Sequence, residues 1–189
     1  LSTTPDQPLD PTLYIDRLSC EDAFHREAAA WSLGEIGSDR AARPLAGLLL
    51  RELESVESLG FVSNDSVVRA TVEAIRRIGA TESLFALVKS LVVLSKSQGV
   101  DEETVSEIVE CLAEVGGYNA VREAGDRVVR QAGACVQCGR GCPGLRIVSN
   151  VLMERMVFCG DAAVATLRRL SRSGPQPLQR IASGVLLQL

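Results

Sequence analysis

One helix–turn–helix pattern recurs along the sequence, and this repetition constrains the fold more than any other feature. In the clearest copy, residues 24–50, a helix rich in small side chains ends at Gly37 and a second helix begins near Pro44. Gly37 follows the last apolar residue of its helix, where glycine readily adopts the left-handed conformation of a C-terminal cap. A two-helix unit of this size cannot bury both of its apolar faces alone, so it requires a neighbour on each side.

The apolar–glycine ending of the first helix recurs further along the chain. Residues 33–37 are followed by equivalent segments at 75–79 and 112–116, and by a weaker one at 156–160. Two-helix repeats with a period of roughly 40 residues are typical of HEAT and armadillo proteins. We therefore predict an all-α fold, an α-solenoid of four to five antiparallel HEAT-like helix pairs.

The first copy of the pattern resembles the HEAT-like repeat first described in phycobilisome lyases. The residues that carry this resemblance are Arg26, Ala28, Ala29, Ala30, Leu33, Gly34, Ile36 and Gly37. Lyases of that type attach an open-chain tetrapyrrole, a bilin, to a cysteine of a phycobiliprotein, commonly as two-subunit proteins. The resemblance therefore implies a phycobilin lyase subunit or a related phycobiliprotein chaperone, with a bilin as ligand and a second subunit in a heterodimer.

The chain length suits a single repeat domain, which we expect to span residues 13–189. Residues 1–12 carry three prolines among polar residues and are expected to be an extended lead-in. Residues 132–144 interrupt the helical pattern and are expected to form a cysteine- and glycine-rich loop. Residues 54–66 are longer than a solenoid turn requires, so they either contact a partner or form a floppy connector with Phe61 tucked onto the array.

Composition argues against several classes of partner. The chain has 20 basic and 24 acidic residues, a net charge of −4, whereas proteins that bind nucleic acid or anionic membranes usually present a basic face. Arg122, Arg127 and Arg130 could form a local basic strip, which we interpret as a solvated helix face. The apolar runs are far too short to cross a bilayer, so we expect no membrane insertion.

The cysteine content indicates the compartment. Six cysteines occur without a recognisable secretory signal. This combination favours the cytoplasm or another reducing compartment, where thiols pack, bind metals or react instead of forming disulfides.

Two residues of the first repeat are unique in the chain. Trp31 is the only tryptophan, and it is either a partner or ligand anchor on the concave face or a partly buried spacer between repeats. His25 is the only histidine and occupies a position that is usually apolar in the repeat, so we expect a packed side chain and not a general base. The predicted partner- and ligand-binding residues are Trp31, His25, Arg26, Phe61, Arg69 and Tyr118.

The two arginines in this set differ in position. Arg26 lies one residue farther from its cap glycine than Arg69 does, so we expect the two arginines to be out of register. The resemblance to lyases implies that arginines would pair with the propionates of a bilin. It also implies that Trp31 or Tyr118 would lie against a pyrrole ring.

Three cysteines are closely spaced around two glycines. Cys135, Cys138 and Cys142 could bind a soft metal, zinc or an iron–sulfur cluster, if a fourth thiol completes the set. Cys159 is the predicted fourth ligand, and Cys111 is the alternative. A redox-active pair, thiols that contact a bilin, and small residues in a tight turn remain as competing interpretations.

The sequence favours a binding module over an enzyme. α-Solenoids present an extended surface, usually to another protein, and no nucleophile–base pair, phosphate-binding loop or dinucleotide-binding fingerprint is present. We expect a HEAT-repeat module whose concave surface binds a protein partner, with the lyase role left open. The alternative is a metal- or iron–sulfur-binding assembly scaffold that uses the three clustered cysteines.

Overall fold

The computed structural model describes residues 10–138, 143–157, 165, 168–169, 171–173 and 176–186. Within this part of the chain the protein is all-α, an α-solenoid of HEAT-like helix pairs, as predicted. The helices are α1 Pro11–Arg17, α2 Ala23–Ile36, α3 Ala42–Glu52, α4 Glu54–Leu59, α5 Asp65–Ile78, α6 Leu84–Leu94, α7 Glu102–Cys138, α8 Pro143–Val157 and α9 Gln176–Leu186. None of the described helices is long and apolar enough to span a membrane.

The predicted glycine caps define the first two repeats. Helix α2 begins after Asp22, whose carboxylate accepts a hydrogen bond from the Phe24 N–H at 2.9 Å, and ends at Gly37 with φ = 68°. Helix α5 ends in the same way at Gly79, with φ = 69°. Each glycine is followed by a short 3₁₀ turn, Asp39–Ala41 or Thr81–Ser83, that leads directly into α3 or α6. The two repeats are therefore built to one local plan.

The third repeat is joined differently. Helix α7 is interrupted at Gly117, whose backbone has φ = 65° and ψ = −168°, so it consists of two halves, 102–116 and 118–138. The sequence pattern placed the break at Gly116, one residue too early. A Cβ atom at Gly116 would collide with Leu84 and Ala120, so this glycine is required for close packing and the adjacent one makes the turn.

The helices pack in two layers around an apolar core. Helix α2 packs on α5 and α5 on α7, while α3 packs on α6 and α6 on α7. The largest fully buried side chains come from both layers: Leu33, Leu45, Leu48, Leu49, Leu53, Ile75, Leu87, Leu91, Leu94, Ile108, Leu112 and Leu152. Each side chain of this size stabilises the fold by about 1.5–3 kcal/mol when fully buried. The repeats thus share one continuous core, as a solenoid requires.

The insertion at residues 54–66 is ordered and not a floppy connector. It contains α4, and the loop after α4 is hydrogen-bonded to the loop after α6. The Gly60 carbonyl accepts hydrogen bonds from the Gln98 N–H and the Ser97 hydroxyl, each at 2.8 Å. The Phe61 backbone forms an isolated bridge with Gly99, yet the Phe61 side chain is half exposed and is not tucked onto the array.

Two predicted boundaries are wrong. Helix α1 begins at Pro11 with Asp10 as its cap, so the extended lead-in cannot reach residue 12. Helix α7 continues to Cys138 and α8 begins at Pro143, so most of the predicted loop at 132–144 is helical. A single glycine within 132–138 is tolerated in a helix, and proline is favoured in the first turn of the next one. Residues 139–142 lie outside the described residues.

Candidate functional site

A groove of about 370 Å³ opens where α2, α5 and the first half of α7 lie side by side. Its lining residues come from all three helices: Trp31, Arg69, Val72, Glu73, Arg76, Glu107 and Glu110. Trp31 remains 41% exposed at this groove. We call this surface the Trp31 groove. Tryptophan and arginine are enriched at the centre of protein interfaces, whereas charged side chains such as glutamate are more common at the rim.

The indole ring of Trp31 is held from the neighbouring repeat. The guanidinium carbon of Arg77 lies 5.4 Å from the ring centroid, within the range of a cation–π interaction. Arg77 in turn forms ion pairs with Glu35 and, at 2.8 Å, with Glu73. The ring is therefore partly ordered before any partner binds. Binding then removes less conformational entropy from the Trp31 side chain.

Arginines of the Trp31 groove already have carboxylate partners. Arg69 pairs with Glu107 at 2.8 Å and with Glu103 at 3.0 Å. These contacts, the hydrogen bond with Glu107 first, raise the pKa of Arg69 above its ordinary value. Arg76 pairs with Glu73, and the hydrogen bond between them is the main cause of the raised pKa of Arg76. Both guanidinium groups are therefore already paired with glutamates of α5 and α7.

The surface around the groove is acidic. It carries three arginines and six glutamates: Arg69, Arg76, Arg77, Glu35, Glu73, Glu103, Glu107, Glu110 and Glu114. Glu110 lines the groove and pairs with no cation among the described residues. An excess of carboxylates with one unpaired acid favours a basic partner over an acidic one.

Arg26, a predicted binding residue, does not line the Trp31 groove. Its side chain is buried, and Nε donates to Glu52 Oε1 at 2.7 Å. Nη1 donates to the carbonyls of Cys20 and Glu21 at 2.9 and 2.6 Å. Because its donors are used inside the first repeat, Arg26 has a structural role. Arg69 instead pairs with the following repeat, in line with the expected difference in register.

His25 is exposed and not packed as expected. Its side chain is 56% exposed, and Nδ1 lies 3.4 Å from Asp22 Oδ2 and 3.9 Å from Cys20 Sγ. Position 25 lies in the first turn of α2, beyond the packed part of that helix, so an apolar side chain is not required there. The residues that line the Trp31 groove do not include His25.

Only two of the six predicted binding residues come together. Trp31 and Arg69 line the same groove, whereas Phe61 lies on the loop after α4 and Tyr118 packs partly buried against the core. Sequence reasoning missed the groove residues Val72, Glu73, Arg76, Glu107 and Glu110. The sequence shows that these residues are spaced to share a helix face within α5 or α7. It does not show that α2, α5 and α7 lie side by side.

Cys111 cannot complete a metal site with the clustered cysteines. Its buried thiol lies 3.6 Å from the Val72 carbonyl, and burial raises the pKa of the Cys111 thiol from 9.0 to about 12. Even if the halves of α7 fold back fully on each other, Cys111 and Cys135 lie roughly 18 Å apart along the axis. One ion cannot bridge that distance.

The remaining cysteines of the predicted metal site are not tested. The side chains of Cys135 and Cys138, and all of Cys142 and Cys159, lie outside the described residues. Elsewhere in the described part of the chain, no group of three or more histidine, cysteine, aspartate or glutamate side chains is placed to hold a metal ion. Metal binding therefore stays a prediction from the sequence.

Comparison with known proteins identifies the repeat type. The family model of the phycobilisome lyase HEAT-like repeat matches residues 26–51, the first copy of the pattern. A crystal structure of an engineered protein from a structural genomics consortium is similar at 16% identity over 94% of this chain and 95% of that one, with a TM-score of 0.35. A search of curated proteins gave no match. HEAT-like repeats commonly mediate protein interactions.

Proposed function

We propose that this HEAT-like solenoid is a protein-binding module and that its Trp31 groove receives a basic segment of the partner. The observation that carries the proposal is an exposed, pre-ordered tryptophan at the meeting point of three helices. Tryptophan is among the residues that contribute most to protein interfaces. The groove lies in repeats that share one core, so its lining side chains are supplied by a rigid scaffold.

Charge selects the kind of partner. The acidic rim and the unpaired carboxylate of Glu110 favour a lysine or arginine side chain, which would pair with Glu110 without displacing an existing ion pair. An apolar or aromatic side chain next to that cation would pack on Trp31 and Val72. Complementary charge of this kind contributes to specificity and to the rate of association.

The first experiment uses Trp31 as its own reporter. Because Trp31 is the only tryptophan, its fluorescence reports the groove directly. Proteins captured from extracts of the native source by the wild-type chain and by Trp31→Ala would be compared by mass spectrometry. We expect at least one captured protein to be lost with Trp31→Ala, and to shift the Trp31 emission to shorter wavelength on binding to the wild type.

The matched control is Phe24→Ala. Phe24 is an exposed aromatic residue of the same helix, 71% exposed, and it does not line the groove. Capture by Phe24→Ala should equal capture by the wild type. Loss of the same proteins with both variants, or with neither, would contradict the assignment of this groove as the binding site.

A phycobilin lyase subunit or phycobiliprotein chaperone is the second candidate function. It is supported by the repeat type at residues 26–51. A bilin carries two propionates, and the glutamate partners of Arg69 and Arg76 would compete with those propionates for the two arginines. The test mixes the protein with phycocyanobilin and an apo-phycobiliprotein, with and without candidate second subunits. This candidate should be abandoned if no combination shows bilin binding or faster attachment.

A further inference from the structure

A second surface of the molecule has the opposite charge. Two adjoining cavities of about 310 and 400 Å³ lie between α6 and the second half of α7 and share Arg127. We call them together the cationic furrow. The lining residues that matter here are Phe85, Lys89 and Val92 on α6 and Glu123, Arg127 and Arg130 on α7. This furrow shares no lining residue with the Trp31 groove.

The furrow concentrates positive charge in a chain with a net charge of −4. Among the described residues that line the furrow, Lys89, Arg127 and Arg130 are accompanied by one carboxylate, Glu123, which pairs with Arg127 at 2.7 Å. Lys89 and Arg130 are exposed and pair with no carboxylate among the described residues. Two cations are therefore available for an external anion, whereas the arginines of the Trp31 groove are occupied.

An exposed aromatic ring lies beside these cations. Phe85 is 60% exposed, and the guanidinium carbon of Arg127 lies 5.8 Å from the centroid of its ring. The rest of the ring is an exposed apolar surface next to Lys89 and Arg130. A ligand with both negative charge and an apolar side chain would therefore complement the furrow.

The spacing of the furrow residues matches a helix laid along it. Phe85, Lys89 and Val92 follow one another at i, i+4 and i+7 on α6. Arg127 and Arg130 are spaced at i and i+3 on α7. The stripe on α6 extends for about 10 Å, at about 1.5 Å per residue, so about two turns of a partner helix would cover it.

We propose that the cationic furrow binds an acidic amphipathic helix of a partner protein. Carboxylates of that helix would pair with Lys89 and Arg130, and an apolar residue would pack on Phe85. A nucleic acid fits less well, because the rest of the chain is acidic and a single exposed ring does not form a stacking surface for successive bases.

The probe is a fluorescent synthetic helix with a leucine stripe flanked by glutamates, compared with the same peptide in which glutamine replaces every glutamate. Fluorescence anisotropy at low and at physiological salt gives the two affinities. We expect the glutamate peptide to bind at least about tenfold more tightly than the glutamine peptide, with a difference that shrinks as salt is raised.

Substitutions of the furrow residues test whether the peptide binds there. Combined Lys89→Glu and Arg130→Glu substitutions should weaken binding of the glutamate peptide at least about tenfold, and Phe85→Ala should also weaken it. Lys96→Glu is the matched control, since Lys96 is exposed beyond the end of α6 and outside the furrow. Circular dichroism confirms that each variant is folded, and the single Lys89→Gln replaces the double variant if that one is not.

Three results would overturn the proposal: equal affinity for the two peptides, unchanged affinity in the furrow variants, or tighter binding of a single-stranded oligonucleotide than of the glutamate peptide. Trp31→Ala separates this proposal from the function proposed above. It should leave the affinity for the glutamate peptide unchanged, because Trp31 does not line the furrow.

Discussion

Arg26 and Glu52 form a buried, two-point ion pair that connects the first turn of α2 with the end of α3. Arg26 Nε lies 2.7 Å from Glu52 Oε1, and Nη2 lies 3.2 Å from Oε2. Asn64, just before α5, donates a further hydrogen bond to Glu52 at 2.9 Å. Arg26 also donates hydrogen bonds to the backbone between α1 and α2. The pair therefore connects α1, the first repeat and, through Asn64, the start of the second repeat.

Removal of one member of this pair should destabilise the protein strongly. Arg26→Met leaves the Glu52 carboxylate buried without its main partner, so we expect the free energy of unfolding to fall by about 3–5 kcal/mol. Urea unfolding followed by circular dichroism measures the change. The double variant Arg26→Met with Glu52→Leu should recover much of the loss, because no buried charge remains. A single variant as stable as the wild type would contradict the structural role of Arg26.

Close packing of α2 on α5 depends on Gly34. A Cβ atom at this position would lie 3.0 Å from the Cα of Ala74, closer than ordinary contact. Gly34→Val should therefore lower the free energy of unfolding by about 1–3 kcal/mol. Gly47→Ala is the control: Gly47 lies inside α3 with open space around it, and alanine there should stabilise the helix by about 0.5–1 kcal/mol. Equal effects of the two substitutions would show that the α2–α5 contact does not require glycine.

The buried thiol of Cys111 should make the folded protein less stable at high pH. Burial raises the pKa of its thiol from 9.0 to about 12 in the folded protein, so above pH 9 the unfolded chain releases a proton that the folded chain keeps. The free energy of unfolding should therefore fall by about 1.4 kcal/mol per pH unit from this residue between pH 9 and 12. Urea unfolding of wild type and Cys111→Ala at several pH values isolates this slope. Identical slopes would contradict the burial of the thiol.

Metal binding by the clustered cysteines remains a prediction with a direct test. Anaerobic purification followed by elemental analysis should give near-stoichiometric zinc or iron if Cys135, Cys138 and Cys142 bind a metal with Cys159. Cys138→Ser should then lose the metal and stability together, whereas Cys111→Ala should keep the metal. A metal-free wild-type protein whose stability is unchanged by Cys138→Ser would exclude the site.

Much of the fold can be predicted from short sequence patterns, such as a glycine that ends a helix. Gly37 and Gly79 end their helices as expected, because a glycine after the last apolar residue is sufficient to specify that cap. The break in α7 was predicted one residue early, at Gly116 instead of Gly117. The neighbouring sequence does not show which of two adjacent glycines, Gly116 or Gly117, interrupts the helix. The choice depends on Leu84, which packs against Gly116 from another helix.

The candidate site was only partly predictable for the same reason. Trp31 could be singled out because it is unique in the chain, but the glutamates around it are common residues on helix surfaces. Their significance comes from pairing across repeats, as when Arg69 of α5 meets Glu107 of α7. Arg26 shows the converse, since a surface arginine and a buried one differ only in whether a carboxylate such as Glu52 lies within reach.

The central claim, that the Trp31 groove binds a basic segment of a protein partner, is tested most directly by the dissociation constant of a captured partner, measured by isothermal titration calorimetry. Trp31→Ala should weaken binding by about 2 kcal/mol, roughly 30-fold, while Phe24→Ala leaves it unchanged. The free energy of unfolding should change far less than it does for Arg26→Met, because Trp31 is partly exposed. Unchanged affinity together with a large loss of stability in Trp31→Ala would show that Trp31 belongs to the core, and would contradict the claim.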